Sequence, residues 1–191
     1  AYTAVDKAES DIENALSRLE PNAQDLTGRI TVEGLDTVLA LKKFAPEAIL
    51  FEGQVLRFIG RGAMRAAYLL PDGTVLKVGL SREEGWQEAA TLLLHPELEQ
   101  IAAPIISYGS FDIGNGRRTF FFEIMPYYDK PTLEGIGGAV SEYSPAYPRV
   151  AAAQAIIGPG DLSSAKNWGA TSAAPDDYRL IDYMDWRAIH Y

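Results

Sequence analysis

The spacing of apolar residues predicts two helices in the first part of the chain. In Val5–Leu19, apolar side chains recur every three or four residues with charged residues between them, which is the pattern of an amphipathic helix. Pro21 ends this pattern, and a second helical pattern occupies Glu33–Phe44. We therefore expect residues 1–47 to form an N-terminal helical pair that either packs on the core or binds a partner.

Strand-like patterning begins after this extension. Short apolar runs separated by glycine or by Pro71-Asp-Gly predict antiparallel strands, because proline and glycine supply the backbone angles of tight turns. A helical pattern over Arg82–Leu94 follows. The runs at 49–51, 55–59, 66–70 and 74–78 fit three strands, and those at 101–108 and 119–125, around a Gly114-Asn-Gly turn, add two. The sequence thus predicts an α+β fold with a five-stranded antiparallel sheet and one helix within residues 48–126.

Residues 127–191 are predicted to form a smaller lobe. Their first part is rich in Pro, Gly, Tyr and Ser and holds one helical stretch near Arg149–Ile157. A loop at Asp161–Gly169 and a strand at Tyr178–Tyr183 follow.

Composition narrows the chemistry that this chain can support. The 191 residues include no cysteine and two histidines, which leaves carboxylates, amides, hydroxyls, Lys and Arg as reactive groups. The net charge of -9 disfavours binding to the phosphate backbone of nucleic acids. No apolar run is long enough for a membrane span, and the first residues lack the pattern of a signal peptide. We therefore expect a cytoplasmic protein without nucleic-acid or membrane partners.

A glycine-bearing hairpin is the first candidate site. Gly60 and Gly62 lie between two predicted strands, where glycine lets backbone N–H groups approach a phosphate. Arg65 stands where a G-x-G-x-x-G motif has its third glycine, so the hairpin is either an anion-binding turn or an ordinary flexible one. Lys77, embedded in the apolar run of the next strand, favours the anion site, because an inward-facing lysine needs a negatively charged partner.

An acidic residue on the predicted helix supplies a partner for this lysine. Glu88 follows Lys77 by eleven residues and could orient its ammonium group through an ion pair. Glu83 and Glu84 on the same helix compete for this role. A solvated helix face would also explain any one of the three glutamates without a site.

Three polar residues near the end of the chain form the second candidate site. Asp161 opens a loop, Asn167 lies six residues later, and Asp182 follows the apolar end of the last predicted strand. One acid/base group and two oxygen ligands for Mg²⁺ are what phosphoryl transfer requires. Taken singly, Asp161 and Asn167 are also common as helix caps or turn residues.

Taken in order, these motifs resemble the protein-kinase-like fold. The likeness is strongest to small kinase-like proteins of phages and bacteria, which carry G-x-G-x-x-R-x-x-Y, a strand lysine, D-L-x(4)-N-W-G and a terminal I-D-Y. It covers Phe51–Trp186, and its most distinctive pieces are Gly62–Tyr68 and Asp161–Gly169. The resemblance implies a kinase-like N-lobe at 48–126 and a truncated C-lobe at 127–191.

The resemblance also implies ligands and residue roles. ATP and Mg²⁺ would be the ligands, with Lys77 on the α- and β-phosphates and Glu88 paired with it. Asp161 would position a hydroxyl acceptor, while Asn167 and Asp182 would bind Mg²⁺. The remaining nucleotide contacts would come from Gly60, Gly62 and Arg65 in the hairpin and from the backbone of a hinge running from Glu123 to Met125.

Departures from the kinase pattern keep several hypotheses open. Gly160 stands where protein kinases have arginine, Asn167 comes one residue late, Met184 replaces the glycine of D-F-G, and nine residues follow Asp182. The first hypothesis is an ATP- and Mg²⁺-dependent phosphotransferase. The alternative is a non-catalytic pseudokinase-type binding module, encoded by a phage, that engages a host or virion protein. A structural domain with accidental motif likeness is the third, and a truncated lobe would suit a homo-oligomer because it exposes apolar surface.

Overall fold

The chain divides into two units that are interleaved in sequence. The computed structural model describes residues 4–33, 49–61, 65–113, 118–129, 138–158 and 161–183. Both helices and strands occur, so the fold class is α+β, as predicted. The sheet unit comprises Arg18–Ala89 and Ile105–Tyr127, and the hairpin unit comprises Ala1–Ser17, Ala90–Pro104 and Tyr128–Tyr191.

The first predicted helix is confirmed. Helix α1 spans Ala4–Leu19 and buries Ala15, Leu16 and Leu19 near its end. A 3-10 turn at Glu20–Asn22, which contains the predicted helix-ending proline, follows it. The second predicted helix, Glu33–Phe44, lies outside the described residues from residue 34 onward.

A six-stranded sheet is the centre of the sheet unit. The strands of this unit are β1 (Gln24–Asp25), β2 (Ile30–Val32), β3 (Ile49–Phe51), β4 (Gln54–Val55), β5 (Arg57–Arg61), β6 (Arg65–Leu69), β7 (Thr74–Gly79), β8 (Ser107–Ile113) and β9 (Arg118–Pro126). The larger sheet has the order β1-β8-β9-β7-β6-β5, and a smaller antiparallel sheet has the order β2-β3-β4.

The sixth strand corrects the prediction of five antiparallel strands. β1 pairs with β8 in parallel, whereas the other four strand pairs of this sheet are antiparallel. β1 consists of two exposed polar residues, so it has no alternation of apolar and polar residues from which the sequence could predict a strand. Gly109 on β8 lets the backbone of β1 approach this closely, because a Cβ at position 109 would lie 2.0 Å from the carbonyl oxygen of Gln24.

The apolar core of the sheet unit gathers side chains from one face of the larger sheet. Ala66, Val78 and Phe122 lie side by side on β6, β7 and β9 and are buried. Alternation along these strands points their neighbours to the opposite face. The buried core residues are Leu26, Ile30, Ile49, Leu56, Ala66, Tyr68, Leu70, Leu76, Val78, Phe111, Phe120 and Phe122.

The helix predicted over residues 82–94 is interrupted at Trp86. Helix α2 spans Arg82–Gly85 and helix α3 spans Gln87–Leu94. The buried Trp86 indole Nε1 donates a 2.9 Å hydrogen bond to the carbonyl oxygen of Gly109. It also makes an edge-on ring contact with Phe121. These tertiary contacts account for a break that the periodic pattern does not show.

The hairpin unit contains one further helix, a two-stranded hairpin and short turns, together with most of α1 and the end of α3. Helix α4 spans Tyr147–Ile157, and strands β10 (Trp168–Thr171) and β11 (Ala174–Leu180) pair in antiparallel fashion. The 3-10 turns cover Pro96–Gln100, Asp161–Ser163 and Ala165–Asn167. The buried core residues of this unit are Leu98, Ala102, Val140, Ala146, Val150, Ala153, Ile157, Leu162, Ala165, Trp168, Leu180 and Tyr183.

The predicted turn between β6 and β7 is confirmed. Gly73 has a φ of 86°, and the amide of Leu70 donates a 2.8 Å hydrogen bond to the carbonyl oxygen of Thr74. Asp72 accepts hydrogen bonds from the amide and the hydroxyl of Thr74. Aspartate and glycine thus have the roles here that turn chemistry assigns to them.

The strand predicted at 101–108 begins later than expected. β8 starts at Ser107, and the earlier residues Ile101 and Ala103 pair with Leu180 instead of β9. The amide of Ala103 donates to the carbonyl oxygen of Leu180 at 2.8 Å, and the amide of Leu180 donates to the carbonyl oxygen of Ile101 at 2.9 Å.

The predicted Gly114-Asn-Gly turn lies outside the described residues, and the three-part division at residues 47 and 126 stays a prediction. No helix within the described ranges combines the length and apolar character needed to cross a membrane.

Replacing Gly85 by alanine should destabilise the sheet unit. A Cβ at Gly85 would lie 2.4 Å from Cβ of Phe121 and 2.7 Å from its backbone, so α2 would have to move off β9. Overpacking of this kind costs about 1–3 kcal/mol, which urea unfolding would measure. Gly60→Ala is the control, since nothing lies within 4 Å of a Cβ at that position. Equal stability of the two variants would contradict the close approach of α2.

Candidate functional site

Four ionisable side chains meet on the face of the larger sheet opposite the apolar core. Lys77 on β7 lies directly across from Glu123 on β9. Arg65 lies two residues before Ala67, the partner of Lys77 on β6, so its side chain points to the same face. Glu88 approaches this face from the first turn of α3. We call Arg65, Lys77, Glu88 and Glu123 the buried charge cluster.

Glu88 is the centre of the buried charge cluster. Its carboxylate is fully buried, and Arg65 binds both oxygens, Nη1 to Oε2 at 2.6 Å and Nη2 to Oε1 at 2.5 Å. Lys77 Nζ lies 3.4 Å from Oε1, so the predicted contact of Lys77 with Glu88 is present. Burial alone would raise the pKa of Glu88, but the charges of Arg65 and then Lys77 outweigh it and lower the pKa to about 2.

Glu123 joins the sheet to helix α3. Its Oε1 accepts hydrogen bonds from the backbone amides of Glu88 at 3.1 Å and Ala89 at 3.3 Å, which lie in the first turn of the helix. Its Oε2 is buried and has no hydrogen-bond partner among the described residues. Burial and the nearby Glu88 carboxylate raise the pKa of Glu123 well above its usual range. The site therefore holds one ionised carboxylate beside one carboxyl that favours its protonated form.

Of the three glutamates considered as partners for Lys77, Glu88 is the one that contacts it. Glu84 Oε2 accepts a 3.0 Å hydrogen bond from the amide of Leu80, and its own amide is capped by the hydroxyl of Ser81. Glu84 thus closes the start of α2, and Glu88 is the glutamate that meets Lys77. Glu83 lies in the same first turn of α2.

The predicted nucleotide-contact residues of the hairpin and the hinge that the structure describes lie on strands of the larger sheet. Gly60 lies on β5 opposite Ala67, whereas Gly62 lies outside the described residues. Glu123 and Met125 lie within β9, where they pair with Lys77 and Val75 of β7. The predicted contact of this backbone with adenine stays a prediction. Sequence reasoning missed the second role of Glu123, since no spacing along the chain indicates that its side chain caps a helix.

The second candidate site lies on a loop of the hairpin unit. The backbone of Asp161 opens the 3-10 turn Asp161–Ser163, and Asn167 ends the next turn. Trp168 is fully buried, and its indole Nε1 donates a 2.7 Å hydrogen bond to the carbonyl oxygen of Leu162. This bond ties the two ends of the loop together, which gives the tryptophan of the D-L-x(4)-N-W-G motif a physical purpose.

The structure brings Asn167 close to the segment that carries Asp182. The amide of Ile181 donates a 2.8 Å hydrogen bond to the carbonyl oxygen of Asn167. The Asn167 side chain is buried, and Asp182 is exposed. Tyr183, next along the chain, is anchored by a 2.7 Å hydrogen bond from its hydroxyl to the carbonyl oxygen of Ala103. Asp182 therefore sits between two fixed residues.

The donor set at Asn167 and Asp182 fits the chemistry of Mg²⁺. An amide oxygen and a carboxylate are hard oxygen ligands, and Mg²⁺ is commonly held by one or two such groups with water and phosphate completing its shell. Among the described residues, no group of three or more His, Asp or Glu side chains forms a metal centre by itself. If Mg²⁺ binds here, oxygen atoms of a bound phosphate or of water would therefore have to complete its coordination shell.

No protein-family model matches the chain, and no curated protein matches it.

Glu123→Gln should stabilise the protein at neutral pH and have little effect in acid. In the wild type the unfolded glutamate ionises above about pH 4.3, while the folded one resists ionisation because its pKa is raised, so stability falls as pH rises from that point towards the folded pKa. Glutamine keeps the acceptor for α3 and removes this loss. A one-unit difference between folded and unfolded pKa corresponds to about 1.4 kcal/mol.

Urea unfolding between pH 4 and pH 8 would measure this effect. The exposed Glu142→Gln is the matched control, and it should follow the wild type at every pH. A constant difference between Glu123→Gln and the wild type across the range would contradict the buried, protonated carboxyl.

Proposed function

We propose that the chain is a minimal kinase-like domain that binds ATP with Mg²⁺ and transfers the γ-phosphoryl group to a hydroxyl. The observation that carries the proposal is the contact between Lys77 Nζ and Glu88 Oε1 at 3.4 Å, beside the β5–β6 hairpin. A strand lysine oriented by a helix glutamate is the arrangement by which kinase-like proteins hold the α- and β-phosphates.

The buried charge cluster supports the nucleotide assignment. The Lys77 side chain is 14% exposed and comes from a strand that follows the glycine-bearing hairpin. A partly buried ammonium group in this position suits a phosphate, because weak solvation strengthens its attraction to a ligand anion. The six-stranded sheet with the helical segments α2 and α3 on its charged face is also compatible with a kinase-like N-lobe.

The loop of the hairpin unit supplies the residues for the transfer step. The oxygen of the acceptor hydroxyl forms a bond to the γ-phosphorus, the bond from that phosphorus to the β–γ bridging oxygen breaks, and ADP leaves. Asp161 would accept the hydroxyl proton and orient the acceptor. Asn167 and Asp182 would hold Mg²⁺, which when bound neutralises phosphate charge. Because this transfer needs little covalent chemistry from the protein, orientation and charge would provide most of the rate.

One observation favours a second candidate function, a non-catalytic binding module for a host or virion protein. Arg65 occupies the position of a motif glycine, and its guanidinium takes both oxygens of Glu88. A large side chain in place of a glycine of the phosphate-binding motif is also expected in a domain that no longer binds nucleotide. The two candidates differ in one measurable property, the binding of ATP.

ATP with Mg²⁺ should raise the melting temperature of the wild type. A ligand at a hundred times its Kd stabilises a protein by about 2.7 kcal/mol. Lys77→Ala should remove the shift, while Lys7→Ala, which changes an exposed lysine on α1, should retain it. A wild-type protein that melts at the same temperature with and without ATP, ADP and Mg²⁺ would favour the binding module.

Asp161→Asn should keep ATP binding and abolish phosphoryl transfer. The amide cannot accept the hydroxyl proton, so γ-labelled ATP should release or transfer its label at a rate lower by about two to four orders of magnitude. The melting shift with ATP should persist, which separates binding from chemistry. Asp176→Asn, at an exposed position of β11, is the matched control and should turn over like the wild type. Equal label transfer by Asp161→Asn and wild type would refute the assigned role.

A further inference from the structure

Two cations hold Glu88 in different geometries. The Arg65 guanidinium makes a two-pronged contact, with one nitrogen on each carboxylate oxygen at 2.6 and 2.5 Å. Lys77 Nζ reaches one of these oxygens at 3.4 Å. Charge-assisted N–H···O bonds are normally about 2.7–2.9 Å long, so Arg65 makes the short contacts and Lys77 the long one.

The position of Arg65 makes it a fixed support. It lies at the start of β6, where it pairs with Gly79 of β7, and its side chain is 10% exposed. A guanidinium stays protonated at every pH that a protein tolerates, and its planar fork matches a carboxylate in distance and direction. The carboxylate of Glu88 is thus prevented from rotating, because both of its oxygens are bonded to one rigid group.

Lys77 therefore does not have to hold Glu88 in place. The carboxylate would keep its charge and orientation on Arg65 alone, and it presents the oxygen Oε1 to both cations. This oxygen is a fixed negative point beside the ammonium group.

We infer that Arg65 is a positioning residue: it fixes Glu88, and Glu88 in turn orients Lys77 towards the phosphates of the nucleotide. The part that concerns the nucleotide rests on the proposed function. The part that concerns Glu88 is a property of the protein without ligand, so the two parts can fail separately.

The pH behaviour of Glu88 distinguishes the two cations. Among the described residues, the charged or titratable groups that face it are Arg65 from β6, Lys77 from β7 and Glu123 from β9. Against the upward effect of burial, the charge of Arg65 lowers the pKa of Glu88 more than that of Lys77 does. Loss of Arg65 should therefore move the Glu88 titration further towards neutral pH than loss of Lys77.

The test without ligand is a carboxyl-carbon NMR titration of the ¹³C-glutamate-labelled protein. Glu88→Gln identifies the Glu88 signal. The conservative pair Arg65→Lys and Lys77→Arg keeps one positive charge at each position, so it tests geometry rather than charge. We expect Arg65→Lys to raise the Glu88 titration midpoint and Lys77→Arg to leave it near that of the wild type. A larger rise in Lys77→Arg, or equal midpoints in both variants, would overturn the inference.

Acid unfolding provides the same comparison if a variant unfolds before Glu88 titrates. In that event the unfolding midpoint of Arg65→Lys should lie at a higher pH than that of Lys77→Arg. Equal midpoints, or the reverse order, would overturn the inference.

The test with ligand is the affinity for ATP with Mg²⁺ between pH 5 and pH 8. Because the phosphates of ATP themselves gain protons in this range, the quantity compared is the ratio of wild-type to Arg65→Lys affinity at each pH. We expect this ratio to be at least tenfold and to grow towards pH 5, as Glu88 becomes protonated in the variant. A merely structural role of Arg65 would lower affinity equally at every pH. If the wild type binds ATP and Arg65→Lys matches it throughout, the inferred link from Arg65 to Lys77 is wrong. If the wild type binds no ATP, the proposed function fails, and the titration still decides how Glu88 is positioned.

Discussion

The burial of the Glu88 carboxylate is the constraint on which the sheet unit depends. A fully buried carboxylate costs several kcal/mol unless cations and hydrogen-bond donors surround it. β6 and β7 supply those cations from one face of the sheet. A slip of one residue in β6 would turn Arg65 towards the apolar core and bring Ala66 to Glu88. The charge cluster and the apolar core therefore enforce the same strand register from opposite faces.

The parts of the fold that the sequence predicted are those governed by local chemistry. β6, β7 and their turn follow from apolar runs and from the conformations that Pro71 and Gly73 favour. β1 and the break at Trp86 depend instead on contacts distant in sequence, namely the close backbone approach at Gly109 and the indole bond to its carbonyl oxygen. Such contacts leave no periodic signal, because each requires a partner that only the folded chain brings near.

The same distinction applies to the candidate sites. The contact of Lys77 with Glu88 was predictable because an embedded lysine needs an anion and the next helix offers few. The fork of Arg65 on Glu88 was not, since the sequence places this arginine at the edge of a glycine motif and does not show which sheet face it takes. In the hairpin unit, the order of Asp161, Asn167 and Asp182 was visible, but the hydrogen bond from Ile181 that joins two of these segments was not.

Both the backbone and the side chain of Glu88 are fixed by hydrogen bonds, so its geometry is set before any ligand binds. Its backbone amide is bound by the Glu123 carboxyl across the sheet, and its side chain is bound by Arg65. Fixing the amide sets where the first turn of α3 begins, and fixing the carboxylate sets the direction of the side chain from that point. A group fixed in both respects loses little further freedom when a ligand arrives, so less of the binding free energy is spent on ordering it. The raised pKa of Glu123 serves this arrangement, because a neutral carboxyl can lie beside Glu88 without the repulsion that a second negative charge would bring.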